Sequence, residues 1–220
     1  MTLNEAIIAR HSVRKYTDRK IDQETAAELQ KIIAECNEKS GVSFQLQLNE
    51  PGAFGSGMAT YGKFENCTDY IAVVGKKEDE EACGYYGEKI VLRAQQLGLN
   101  TCWVALTCNK SKVVYEAKKG EKLIIVIALG YGQTQGHPRP TKPIEDLCKI
   151  KNPEMPEWFR TAMEAVQLAP TAVNQQKFVF CLDGNDVEAK TLLGFYARID
   201  LGIAKYHFEI GAGTTFFKWK

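Results

Sequence analysis

Five Lys or Arg side chains and one His fall within thirteen residues, RHSVRKYTDRKID, from Arg10 to Asp22. Guanidinium groups offer planar, forked donors that suit phosphate oxygens, and Ser12 places a hydroxyl donor between Arg10 and Arg14. The chemistry this combination suits is capture of a phosphate-bearing ligand. A solvated basic turn accounts for the same residues, because surface charge clusters usually contribute little by themselves. With 28 basic against 27 acidic residues, the chain as a whole supplies no nucleic-acid footprint that would explain the cluster.

Other chemistry-bearing residues give weaker signals. The seven cysteines, at 36, 67, 83, 102, 108, 148 and 181, form no C-x-x-C pair and no zinc-like spacing with the three histidines, so they read as reduced, mostly buried thiols. PGAFGSGMATYGK is glycine-rich but lacks both G-x-G-x-x-G and a Gly-Lys-Ser/Thr ending, and reads as a plain loop. His207 has no second metal-type residue beside it and reads as a packed histidine on a helix.

The elements that position the basic segment follow from local pattern. Thr2-Leu3-Asn4-Glu5 is a capping box for a short helix with Leu3, Ile7 and Ile8 on one face. Asp22 is a good N-cap for a second helix striped by Leu29, Ile32, Ile33 and Cys36. RHSVRKYTD is therefore a loop pinned between two helices, with side chains expected outside the core. Val42, Phe44, Leu46 and Leu48 alternate like an outer strand, and YIAVVG is a buried one. A helix from Asp79 to Gly98 precedes strand TCWVAL; Asn109 caps a predicted helix through Ala117; LIIVIALGYG is a central strand. GQTQGHPRPTKPIED is an irregular, Pro-rich crossing. Beyond it come a helix from Pro156 to Pro170, strand KFVFCL, a helix near Arg198–Gly211, and TTFFKW as a strand-like tail.

Composition bounds the class: 45% apolar and 25% charged residues suit a well-packed globular protein of one large or two small domains. The longest apolar run, Leu123–Leu129, is far short of the roughly 20 residues a membrane helix needs. The N-terminus has no long apolar core after basic residues, and the expectation is an intracellular, cytoplasmic protein that binds neither membrane nor nucleic acid.

Several stretches together resemble the FMN-dependent nitroreductase family. RHSVRKY is similar to its N-terminal Arg-x-Ser-x-Arg signature; EAVQLAPTAVNQQKFVF to its helix, Ser-Pro-Ser-x-x-Asn-x-Gln and strand; YGEKIVLRAQQLGLNTCWVALT to its central helix and Gly-Leu-Gly-x-x-Trp; and KLIIVIALGYG to its central strand. The resemblance implies an α+β fold of mostly antiparallel mixed sheets flanked by helices. The order departs from the family, since APTAVNQQ arrives some 130 residues later than usual and a second central helix, DLGIAKYHFEIGAG, follows it. In family homodimers the flavin lies at the subunit interface. Residues 1–150 thus look like a phosphate-binding half and 151–220 like a partner half, so that one chain mimics the dimer as a monomer with one flavin site; a homodimer that swaps the second half is the competing arrangement.

Carried over residue by residue, the resemblance implies that Arg10, His11, Ser12 and Arg14 bind the FMN phosphate and ribityl group, helped by Arg139 and Lys142. Pro170, Thr171, Asn174 and Gln176 would line the isoalloxazine, with Thr171 keeping the hydroxyl of the usual Ser. The backbone at Ala105 and Leu106 stands where an amide meets the flavin's hydride-accepting nitrogen, although Ala-Leu replaces the usual small turn and Lys177 replaces a proline. The implied activity is ping-pong hydride transfer from NADH or NADPH to a small electron acceptor such as a nitroaromatic or quinone. A flavin carrier or sensor without turnover, and an interaction domain that has lost FMN, are the other classes these residues allow.

Overall fold

Thr2 and Glu5 cap each other's backbone amides and start α1 (Leu3–Ala9), and Asp22 accepts from the Thr25 amide at the head of α2 (Gln23–Ser40). Between these capped helices the basic segment has no regular element. It is held by isolated bridges that set Ser12 beside Thr101, Lys15 beside Glu65 and Tyr16 beside Gly132. The structure, a computed structural model, describes residues 1–54, 63–151, 154–213 and 217–220. Most of the glycine-rich PGAFGSGMATYGK stretch lies outside them, and Pro51–Ala53 at its start forms a single 3-10 turn.

Among the described residues two four-stranded sheets carry the fold. β1 (Ser43–Gln47), β2 (Asp69–Gly75), β3 (Asn100–Val104) and β4 (Lys122–Gly130) form an antiparallel sheet in the order β1-β2-β4-β3. β2 and β4 take the interior places because YIAVV and LIIVIAL are apolar on both faces. The second sheet is mixed: β5 (Cys148–Ile150), β6 (Phe178–Asp183), β7 (Asp186–Thr191) and β8 (Lys218–Trp219), with parallel outer pairs around an antiparallel β6–β7 hairpin. α3 (Glu80–Gln96), α5 (Glu157–Gln167) and α6 (Ala197–Ala212) flank them, so the α+β arrangement matches the expectation. One apolar core runs from Ile71, Ile125 and Ile127 of the first sheet to Phe178 and Phe180 of the second, and Phe208 of α6 joins it. Among the described residues no helix is long and apolar enough to cross a membrane.

α3 and α6 touch backbone to backbone. A Cβ on Gly84 would lie 2.0 Å from the Ile199 carbonyl oxygen, and one on Gly202 would lie 2.0 Å from the Glu81 carbonyl oxygen. The contact is reciprocal: each glycine meets the residue three positions before the other, as in a two-fold crossing of like helices.

Three local expectations need correction. The predicted helix from Asn109 to Ala117 is a single 3-10 turn, Lys110–Lys112. Tertiary hydrogen bonds take the backbone beyond it: the Glu116 amide donates to Gln45 Oε1, Gln45 Nε2 donates to the Glu116 carbonyl, and the Val114 amide donates to the Tyr70 hydroxyl. The crossing segment ends in a one-turn helix, α4 (Ile144–Leu147). Strands β5 and β7 went unpredicted, because the first is three residues long and the apolar face of DVEAKT is only Val187 and Ala189.

Candidate functional site

The basic segment divides its charges between solvent and interior. Lys15 pairs with Glu65 at 2.7 Å on the surface, and the Arg19 guanidinium lies 3.8 Å from the centre of the Tyr131 ring. Arg10 does the opposite of what the sequence suggests for a loop side chain: it is only 4% exposed. Its Nε sits 3.7 Å from Glu88 Oε1 and is buried without a hydrogen-bond partner among the described residues. Ser12 lies on the exposed side of the bridge to Thr101, while Arg14 is half-buried and its charge reaches the Cys102 thiol.

Beneath Arg10 lies a buried polar node. Glu88 on α3 and His207 on α6 are both fully buried, with His207 Nε2 2.9 Å from Glu88 Oε1. Trp103 on β3 donates its indole N–H to Glu88 Oε2 at 2.9 Å, and His207 Nδ1 lies 2.9 Å from the Ala165 carbonyl oxygen of α5. Burial pushes the Glu88 carboxyl up, but the hydrogen bond and charge of His207, the charge of Arg10 and the Trp103 donor outweigh it and hold the group below its ordinary value. His207 is packed, as its lone position on a helix suggests.

Above Arg10 the Pro-rich crossing closes over the loop that follows α5. Gly136, at φ +77°, lets the chain pass so near His11 that an added Cβ would come within 2.7 Å of the His11 Cβ. Arg139 then donates to Asn174 Oδ1 and to the Ala169 carbonyl, and Asn174 Nδ2 donates back to the Pro140 carbonyl at 2.9 Å. The Lys142 amide donates to Gln176 Oε1 at 2.8 Å and its Nζ to the Gln176 carbonyl at 3.1 Å, while Gln167 Nε2 donates to the Lys142 carbonyl at 2.7 Å. Thr171 Oγ1 accepts from the Gln176 amide. Asp200, in the first turn of α6, accepts from the Ala172 amide and the Gln175 side chain, and burial raises its carboxyl to about 6. Val173, Asn174 and Gln176 all have positive φ, between 45° and 55°, which is costly for a β-branched residue such as Val173.

The two groups meet at their charges. Arg139 is lowered to about 10 by burial and by the positive charge of Arg10, and His11 is lowered by burial and by Arg10, His137 and Arg139. One chain thus brings together Arg10, His11, Arg139 and Asn174, and separately Lys142, Pro170, Thr171 and Gln176 around the adjoining loop. Ala105 and Leu106 lie past the far end of β3, about 13 Å along the strand from Thr101, which bridges to Ser12. Ala105 is half-buried against the core and Leu106 is 79% exposed.

A sequence model described as "Putative TM nitroreductase" matches residues 2–212. The chain belongs to this nitroreductase family. Among solved structures, a "putative nitroreductase" from Thermotoga maritima is 24% identical, with a TM-score of 0.68 over 96% of this chain and 83% of that one. A nitroreductase-like family protein from Bacillus cereus (17% identity, TM-score 0.51) covers 66% of this chain and 94% of its own. A "putative nitroreductase" from Exiguobacterium sibiricum, solved in complex with FMN, gives 16% identity and a TM-score of 0.50 over 66% of this chain and 95% of its own. These likenesses establish the nitroreductase fold. Among curated proteins none matches.

Within this chain, sequence reasoning missed Glu88 and Asp200 and left His207 as packing. A signal was present. Glu88 shares its helical stripe with Gly84, Gly87 and Val91, and His207 sits between Ile203 and Ile210, so each is an ionisable residue at a core position and needs a partner.

Proposed function

We propose that this nitroreductase binds FMN and reduces electron-poor acceptors such as nitroaromatics or quinones with NADH or NADPH. The observation that carries the reading is Arg10, buried with an Nε that has no hydrogen-bond partner among the described residues, and near it Arg139, whose proton affinity burial and the charge of Arg10 depress. Like charges gathered from positions 10 and 139 are stabilised by an anion, and a phosphate monoester supplies the acceptors Arg10 lacks. FMN held there would bring hydride chemistry of its own. The chain's contribution is to bind and orient: Arg10, His11, Ser12 and Arg14 toward phosphate and ribityl, and Pro170, Thr171, Asn174 and Gln176 toward the ring. Arg139 and Lys142 act there mainly by bracing the Thr171–Gln176 loop, since their donors already serve Asn174, Ala169 and Gln176. The Ala105–Leu106 backbone remains the proposed amide contact to the ring.

The site is proposed to be complete in one chain, with the chain a monomer. The convergence of Arg10, Arg139 and Asn174, and the reciprocal glycine contact of α3 with α6, support it. Purified protein titrated with FMN, then with NADPH or NADH and a nitroaromatic, tests the reading. Bleaching by the nicotinamide and recolouring by the acceptor support an oxidoreductase; binding without bleaching identifies a carrier, and no binding removes the flavin assignment. Light scattering tests the monomer.

A further inference from the structure

The buried node under Arg10 contains more charge than packing requires. The Ala165 carbonyl can only accept, so His207 Nδ1 carries a hydrogen. The 2.9 Å contact from Nε2 to Glu88 Oε1 then needs one more hydrogen, carried either by an imidazolium facing a carboxylate or by a carboxylic acid facing a neutral imidazole. Two neighbours choose between these. Arg10 is permanently positive and 3.7 Å from that same oxygen, and the Trp103 N–H points at the other one, so both favour the carboxylate. Among the described residues the other charged or titratable neighbours are Arg139 and His11 beside Arg10, Asp200 beyond Arg139, the Cys102 thiol, raised by burial against the charges of Arg14 and Arg10, and Tyr206 on α6, whose hydroxyl is raised by burial and partly by Glu88. Only Glu88 supplies negative charge in direct contact with Arg10 among the described residues.

We propose that Glu88 and His207 are a positioning pair for Arg10, in which the carboxylate fixes the guanidinium and the imidazolium cancels the carboxylate's charge, leaving Arg10's full positive charge for a ligand phosphate. A lone carboxylate would anchor Arg10 and neutralise it at once. With the imidazolium present, Arg10, Glu88 and His207 together carry one positive charge. The pair also spans α3 and α6, so the phosphate end of the site depends on a residue near the C-terminus. This proposal rests on the FMN reading, and its test separates the two.

Three measurements decide it. First, nitrogen NMR of histidine-labelled protein without flavin, between pH 6 and 8, is expected to show His207 with both ring nitrogens protonated. A neutral ring with a bare Nε2 overturns the charge arrangement, whatever the protein binds. Second, FMN and riboflavin are titrated into wild type, Glu88→Gln and His207→Gln. Glu88→Gln keeps the node's net charge, because the amide can donate to a neutral imidazole, but removes the anchor; His207→Gln keeps the anchor and removes the charge. Each is expected to weaken FMN about tenfold, the scale of one charge-assisted contact, and to leave riboflavin unchanged. Equal losses for both flavins indicate a merely structural pair and overturn the proposal, as does unchanged FMN affinity. Third, should wild type bind neither flavin, the FMN reading fails by itself, and inorganic phosphate is titrated against the His207 resonances. Shifts in wild type that vanish in Arg10→Ala support the positioning pair for an anion site, and no shift overturns it. The NMR measurement needs no variant and stands even if a substitution fails to fold.

Discussion

Glu88 and Asp200 are both buried carboxylates on the paired helices α3 and α6, yet their surroundings drive them in opposite directions. Burial raises each. At Glu88 His207, Arg10 and an indole donor reverse the effect; at Asp200 the close donors are the neutral Ala172 amide and Gln175 side chain, with Arg139's charge a lesser influence, and the carboxyl stays up at about 6. The difference shows how the site divides its work. The Arg10 end sets charge against charge and has an unsatisfied donor, while at the Thr171–Gln176 end Arg139 and Lys142 donate to uncharged acceptors and the loop carries some backbone strain.

Breaking the ionic end is expected to give the largest effect. Glu88→Ala leaves Arg10 and His207 buried without their anion and should cost about 3 to 5 kcal/mol of folding stability, read by chemical denaturation. A loss under about 1 kcal/mol would mean the node relaxes into water and is not buried as described. The pH dependence sharpens the contrast. Asp200 binds its proton more tightly folded than unfolded, so its contribution to stability is greatest below its ordinary value of 3.8 and declines as pH rises through about 6. The loss is at most about 3 kcal/mol, at roughly 1.4 kcal/mol per pH unit, and Asp200→Asn should flatten stability between pH 4.5 and about 6.5. Glu88 has the reverse sign: its lowered carboxyl adds stability above 4.5 that is lost as pH falls further. A single acid-side slope, unaltered in Asp200→Asn, would contradict the assignment.

At the Thr171–Gln176 end the expected effects are smaller. Arg139→Met removes the donors on Asn174, Ala169 and Gln167 and should cost about 2 kcal/mol, with faster hydrogen exchange confined to residues 171–176. Exchange that rises equally across α3 would show that the two ends are not separate. Val173→Gly relieves a β-branched residue at φ 45° and should raise stability by about 1 kcal/mol, seen as a higher melting temperature; a decrease would mean that the Val173 side chain, 75% exposed, makes a contact worth more than the strain.

How much of this was legible in the sequence depended on whether the cause was local. The caps at Thr2 and Asp22, the two-faced apolar strand β4 and the stripes of α2 and α3 are set by neighbours a few residues away, and they were read directly. The failed helix after Asn109 was overruled by Gln45 and Tyr70, which lie more than 40 residues earlier. β5 and β7 exist because β6 pairs with both, a cause absent from their own residues. The motif residues Arg10 and Asn174 could be named from the sequence, but the burial of Arg10 could not, because its partner Glu88 is 78 positions away and His207 lies 119 beyond that.

The central claim is that Arg10 is the buried anchor of a phosphate site formed within one chain, and FMN titration of wild type and Arg10→Ala tests it most directly. Arg10→Ala leaves the Glu88–His207 contact in place, so the fold, checked by far-UV circular dichroism, should survive. The account predicts one FMN per monomeric chain and a loss of affinity of about tenfold or more in the variant, the scale of one charge-assisted contact. A folded Arg10→Ala protein that binds FMN as tightly as wild type would contradict it.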